Sequence, residues 1–215
     1  IHNEVLGPRV SPIVFSWLPG GLNFAIPEVR SLRLREIREC CERYSIDGLD
    51  LDFQRFPMYF PTGEEEKNIP TMTEFLRHVR EITNEVGKTR GRPILLSIRA
   101  TARPEQNRKL GLDVESWANE GLVDFVTASH YLRNDYPIAV QDYRRILPAG
   151  MPVYTSIEVE DKPDDYRRIA RQQWTDGTDG IMVFNFFTCR ERGKEPPFEL
   201  LKELSDPHAS GLLKQ

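Results

Sequence analysis

Cysteine is scarce in this chain of 215 residues: there are three. Cys40 and Cys41 are adjacent on a stretch of helical pattern, and Cys189 is remote. That is too few for a disulfide framework, and no Cys-x-x-Cys pair or Cys/His cluster offers a zinc site. All three are expected to pack as apolar residues. A basic excess is lacking too. Lys and Arg number 29 against 33 Asp and Glu, a formal net charge of -4 at pH 7. This argues against a nucleic-acid surface. No apolar run approaches the ~20 residues that a membrane span requires. A Gly-rich phosphate loop, a zinc-binding histidine motif and a nucleophile elbow are missing as well, and nothing calls for a metal or cofactor. The chain starts at Ile1, with no initiator Met and no signal-like segment. Localisation stays open on that evidence, and a secreted or periplasmic protein is compatible with it.

What is present suits a globular protein: 39% hydrophobic and 29% charged residues, in a chain long enough for one domain with a proper core. Short apolar runs alternate with amphipathic stretches. Ser11–Trp17 is a weak strand candidate. Pro27–Tyr44 reads as a helix with Leu34, Ile37, Cys41 and Tyr44 on one face. Strands are expected near Ile46–Phe53, Pro93–Ala100, Asp124–Leu132, Pro152–Glu160 and Gly180–Phe187. Helical patterns follow each, the longest at Thr71–Val86. Strict βα alternation implies parallel strands with helical crossovers. The expected fold is therefore α/β, a (β/α)8 barrel of the TIM type. Such a barrel has eight units, whereas five or six are countable. Residues 1–215 are thus expected to form a single (β/α)-barrel domain that is N-terminally incomplete, the C-terminal portion of the whole.

The stretch Asp47-Gly48-Leu49-Asp50-Leu51-Asp52-Phe53-Gln54 combines a core strand with three carboxylates. Alternate strand residues share a face. Leu49, Leu51 and Phe53 would face the helices, and Asp50, Asp52 and Gln54 the barrel interior. Active sites of this fold lie at the C-terminal ends of the strands, so Asp50 and Asp52 are candidates for chemistry. Asp47 is expected to be structural, accepting turn N–H groups. Arg55 could pair with an Asp. Other strand ends add Arg99 or Arg103, then His130 and Tyr131, then Glu158, then Asn185 with Phe184, Phe186 and Phe187. At least two of those three phenylalanines are expected to fill core, and Phe187 to stack on substrate. Glu160 is expected as a solvated loop charge. Two carboxylates across a cleft, with Arg and aromatics near, are what glycosidic cleavage requires: one acid protonates the leaving oxygen, the other attacks or activates water.

The segments "PEVRSLRLREIRECCERYSIDGLDLDFQRFP", "GLDVESWANEGLVDFVTASHYL" and "DGIMVFNFF" resemble the uncharacterised family-10-like glycosyl hydrolases, bacterial TIM-barrel proteins. The resemblance runs from about Asn23 to Leu204. It implies that the strand at Asp47 is the fourth of the barrel, that Asp52 is the matched acid, and that Glu158 follows the seventh strand. A narrower resemblance links "DGLDLDFQ" to the family 18 chitinase signature D-G-x-D-x-D-x-E. Gln54 stands where that signature has its catalytic Glu, and a neutral amide cannot protonate a leaving group. This resemblance implies an inactive, lectin-like barrel.

The expected function is hydrolysis of glycosidic bonds in a poly- or oligosaccharide. Asp52 and Glu158 form the catalytic pair, and Asp50 tunes Asp52. Arg55, Arg99, His130, Tyr131, Asn185 and Phe187 bind substrate. The expected partner is carbohydrate, with no nucleic acid and no membrane span. The alternative is a carbohydrate-binding barrel that cuts nothing. A third reading, Asp50, Asp52, His130 and Glu158 as metal ligands, requires these four to converge on one point.

Overall fold

The computed structural model describes residues 21–131, 134, 137–158, 160, 162–187, 190 and 193–206. The strand expected at Ser11–Trp17 and Cys189 lie outside them. In chain order come α1 (Pro27–Arg43), β1 (Gly48–Asp52), a 3-10 turn (Glu66–Asn68) leading into α2 (Ile69–Arg90), and β2 (Leu95–Thr101). Two short helices follow, α3 (Pro104–Lys109) and α4 (Val114–Asn119). Then come β3 (Phe125–Ser129), α5 (Val140–Ile146), β4 (Val153–Ile157), α6 (Pro163–Thr175), β5 (Gly180–Val183) and α7 (Leu200–Ser205). No described helix is long and apolar enough to cross a membrane.

The five described strands form one parallel sheet in the order β1-β2-β3-β4-β5. Each strand pairs with the next in sequence, the order that βα repetition produces in a barrel. The sheet is a curled half-barrel. One residue set on each strand faces the helices: Leu96, Ile98 and Ala100, then Val126 and Ala128, then Val153 and Ile157, all fully buried. Leu49 and Leu51 pack against the same core, as their parity predicts. Across from them α2 contributes Met72, Phe75, Leu76 and Val79. Their three- and four-residue spacing makes one apolar stripe. The indole N–H of Trp117 on α4 bonds Thr73 Oγ1 on α2 at 2.9 Å, so the largest core ring is also polar-satisfied. A second cluster, built from Ile157, Tyr166, Ile169, Phe186, Leu200 and Leu204, joins α6 and α7 to the end of the sheet.

Strand starts are pinned by side chains. Asp124 Oδ2 accepts from the Leu96 N–H at 2.7 Å and from Arg80 at 2.9 Å. Asp179 does the same for the Val153 N–H at 2.7 Å and Arg144 at 2.6 Å.

Several expectations change. α2 extends beyond Thr71–Val86 at both ends, because Pro70 fits the first turn and Gly91 at φ 71° caps the last. Tyr44 leaves the apolar face of α1: it follows the helix in extended backbone and is exposed. Asp47 forms an ion pair with Arg92 rather than serving turn N–H groups. The loop after β1 is a piece of core. Tyr59 and Phe60 are buried, and the Tyr59 hydroxyl donates to the Phe53 carbonyl.

Candidate active site

β1 and β2 pair so that Asp50 lies opposite Ser97 and Asp52 opposite Arg99. All four belong to the concave face. Arg99 is the hub of what surrounds them, and it is 1% exposed. One terminal nitrogen, Nη1, donates to both Asp52 oxygens at 3.1 and 3.2 Å. The other, Nη2, donates to Glu158 Oε1 at 2.6 Å and to the His130 carbonyl at 3.2 Å. Nε donates to Ser129 Oγ at 2.8 Å. The ring of Phe184 lies over the guanidinium, 3.6 Å from its carbon to the ring centroid, within cation–π range. Acids that are remote in sequence, Asp52 from β1 and Glu158 from the end of β4, thus meet on one cation.

Their environments differ. Glu158 is 2% exposed, and burial pushes its carboxyl up from the ordinary 4.5 to about 7. Arg99 pulls it back down and Asp52 adds repulsion, but desolvation dominates. Glu158 Oε2 has no hydrogen-bond partner among the described groups, an arrangement that suits a protonated acid better than an anion. Asp52 keeps about a third of its side chain open to solvent. Its Oδ1 also accepts the Gln54 N–H at 2.8 Å. Asp50 is reached by solvent too. Crowding by protein nevertheless raises its carboxyl, against the bond from Ser97 Oγ at 2.5 Å and with some repulsion from Asp52. A cavity of about 540 Å³ adjoins the two aspartates, lined also by Arg55, Phe56, Tyr59 and Leu22.

The remaining sequence candidates fall as follows. Arg55 is exposed beside that cavity, where its charge acts on both Glu158 and Tyr131. His130 and Tyr131 are buried at the end of β3. Burial raises the Tyr131 hydroxyl, while Arg55 and Arg99 lower it. Asn185 follows β5 with φ 52°, a left-handed backbone that few non-glycine residues adopt and that tends to sit at functional sites. Phe187 is 65% exposed. Arg103 is exposed at the start of α3, so of the two arginines only Arg99 belongs to the hub. Of the three phenylalanines, only Phe186 fills core; Phe184 serves Arg99. Glu160 is not a free loop charge. It accepts from Asn134 Nδ2 at 2.6 Å, and its N–H donates to the Tyr166 hydroxyl. Among the described residues, no three His, Cys, Asp or Glu side chains converge as metal ligands, and Arg99 occupies the place between Asp52 and Glu158.

Sequence reasoning missed Ser129, Ser156 and Asn134. Asn134 holds the β4 exit by accepting the Glu158 N–H at 3.0 Å and donating to the Glu158 carbonyl at 3.1 Å. No motif marks such short polar side chains; only strand parity could have drawn attention to the two serines. Gln54 is 1% exposed, and its side-chain amide finds no partner among the described groups.

No family model matches the sequence, and no curated protein matches it. Solved structures do. A glycoside hydrolase family 18 N-acetylglucosaminidase from Paenibacillus barengoltzii aligns over 84% of this chain and 77% of its own, with TM-score 0.59 and 14% identity. A chitinase from Bacillus thuringiensis aligns over 63% of this chain and 25% of its own, with TM-score 0.44 and 18% identity. The first likeness establishes the fold. The chain is an α/β half-barrel, with acids gathered at the C-terminal ends of its strands.

Proposed function

We propose that this protein is a glycoside hydrolase-like enzyme that cleaves glycosidic bonds in a poly- or oligosaccharide through Asp52 and Glu158. The observation that carries this is the pair itself: two carboxylates from different strands share one guanidinium, and burial drives Glu158 to about 7. Two acids in unlike environments divide the labour of acid and partner. Glu158 carries a proton near neutral pH and delivers it to the leaving oxygen. Asp52, open to the neighbouring cavity, attacks the anomeric carbon or stabilises its charge. Asp50 tunes Asp52. Arg55, His130, Tyr131, Asn185 and Phe187 hold the sugar, whereas Arg99 spends its donors on the protein and acts through the acids. The family-10-like segments support the same reaction class.

The test is release of reducing ends from a glycan panel by wild type, Asp52→Asn and Glu158→Gln. Oligomers of N-acetylglucosamine head the panel, given the activity named for the structural relative. Wild type is expected to turn over at least one substrate. Each variant should lose ~10²-fold or more while keeping its circular dichroism spectrum. Unchanged turnover in Asp52→Asn removes that residue from the reaction.

One observation favours a second reading, a barrel that binds sugar without cutting it. Gln54 stands where the family 18 signature has its acid, and it is buried without an amide partner. That reading expects sugar affinity to survive Asp52→Asn and no product from any glycan.

A further inference from the structure

Arg99 is held between two acids on a long side chain that loses much rotamer freedom when fixed. Its terminal nitrogens serve the carboxylates. The donor nearest the stem, Nε–H, goes to Ser129 Oγ at 2.8 Å. Ser129 uses every valence of its hydroxyl. It accepts from Arg99 and donates to the His130 carbonyl at 2.8 Å. At 2.6 Å it meets Ser156 Oγ, which must be the donor once the Ser129 proton is committed. One proton and two lone pairs are then spent, and none remains for a substrate. Both serines are buried. The His130 carbonyl also takes Arg99 Nη2, so the inner edge of the guanidinium is fixed at two points.

We infer that Ser129 is a positioning residue: its hydroxyl orients the Arg99 guanidinium so that one terminal nitrogen serves Asp52 and the other Glu158. Its meaning for catalysis rests on the function proposed above. Without Oγ the buried Nε–H has no partner, an unfavourable state that a rotation of the guanidinium relieves. That rotation withdraws Nη2 from Glu158. The described charged or titratable groups around Glu158 are Arg99 from β2, Asp52 from β1, Arg55 from the following loop, His130 and Tyr131 from the end of β3, and Glu160 from its own segment. Arg99 is the only one of them in an ion pair with it. Its withdrawal leaves desolvation less opposed.

Titration of the Glu158 carboxyl by carbon NMR reads this directly and needs no turnover. Ser129→Ala should raise the midpoint by about 1 pH unit, the lower end of what one nearby cation supplies. Ser129→Thr, which keeps the hydroxyl, should restore it. Ser156→Ala removes a single accepted bond and should move it less than Ser129→Ala does. If alanine prevents folding, Ser129→Cys carries the same test, because sulfur is a weak acceptor. An unchanged midpoint in a folded Ser129→Ala or Ser129→Cys protein overturns the inference, even if the wild type hydrolyses glycans. A shifted midpoint beside a wild type inert on every glycan overturns the hydrolase reading and leaves the positioning role standing.

Discussion

Glu158 is the residue on which pH acts most directly. Its carboxyl binds a proton more tightly in the folded chain than in the unfolded one, where 4.5 is the ordinary value. Protonation therefore favours the fold. The contribution is fully present below about 4.5 and is lost as pH rises through about 7. Thermal scans should show Tm falling across that window, and Glu158→Gln, neutral throughout, should flatten the fall. A slope unchanged by the substitution would mean that Glu158 does not titrate there. Arg99 is the complementary case. Arg99→Met leaves two carboxylates around a buried gap and should cost about 3–5 kcal/mol by urea unfolding. Adding Glu158→Gln to that variant should recover part of the loss at alkaline pH, where Glu158 would otherwise have to ionise without its partner. Strand parity made Asp50 and Asp52 legible, and position at the ends of their strands made Arg99 and Glu158 so. It could not show that Arg99 joins the acids rather than reaching for substrate, because that depends on Ser129, His130 and Phe184 meeting it in space.

Elements were easier to read than their ends. The five strands declared themselves through β-branched and apolar runs between turn residues. α3 did not, since six residues rich in polar side chains carry no apolar stripe. The loop after β1 was also opaque: only the fold reveals that Phe60 packs against Gly111. Gly111 sits at φ 82°, and a Cβ there would lie 2.8 Å from the Phe60 ring and 2.9 Å from the Glu65 carbonyl oxygen. Backbone conformation and contact both forbid a side chain. Gly111→Ala should therefore destabilise by about 1–3 kcal/mol, read as a lower urea midpoint. The same substitution at Gly121, also at positive φ but with open space around the added carbon, should cost less. Equal losses at both positions would contradict the packing argument.

At the scale of the molecule, the half-barrel keeps its apolar face under the helices and carries its charged cluster on the concave face. The second core cluster bears on the site, because Phe186 lies two residues beyond Phe184, the ring over Arg99. Leu200→Ala in that cluster should cost about 2–5 kcal/mol. The βα rhythm carried the architecture in the sequence. It did not carry the choice between the two resemblances, because a βα rhythm is common to barrels of many activities. The central claim is that sugar meets the protein at the acids around Arg99. Its most direct test is an NMR titration of the protein with an N-acetylglucosamine oligomer and the rest of the glycan panel. The account predicts shifts confined to Asp52, Arg55, His130, Glu158, Asn185 and their neighbours. Shifts centred instead on the groove of about 350 Å³ that Arg108 and Arg145 line between α3 and α5, or no shift with any glycan, would contradict it.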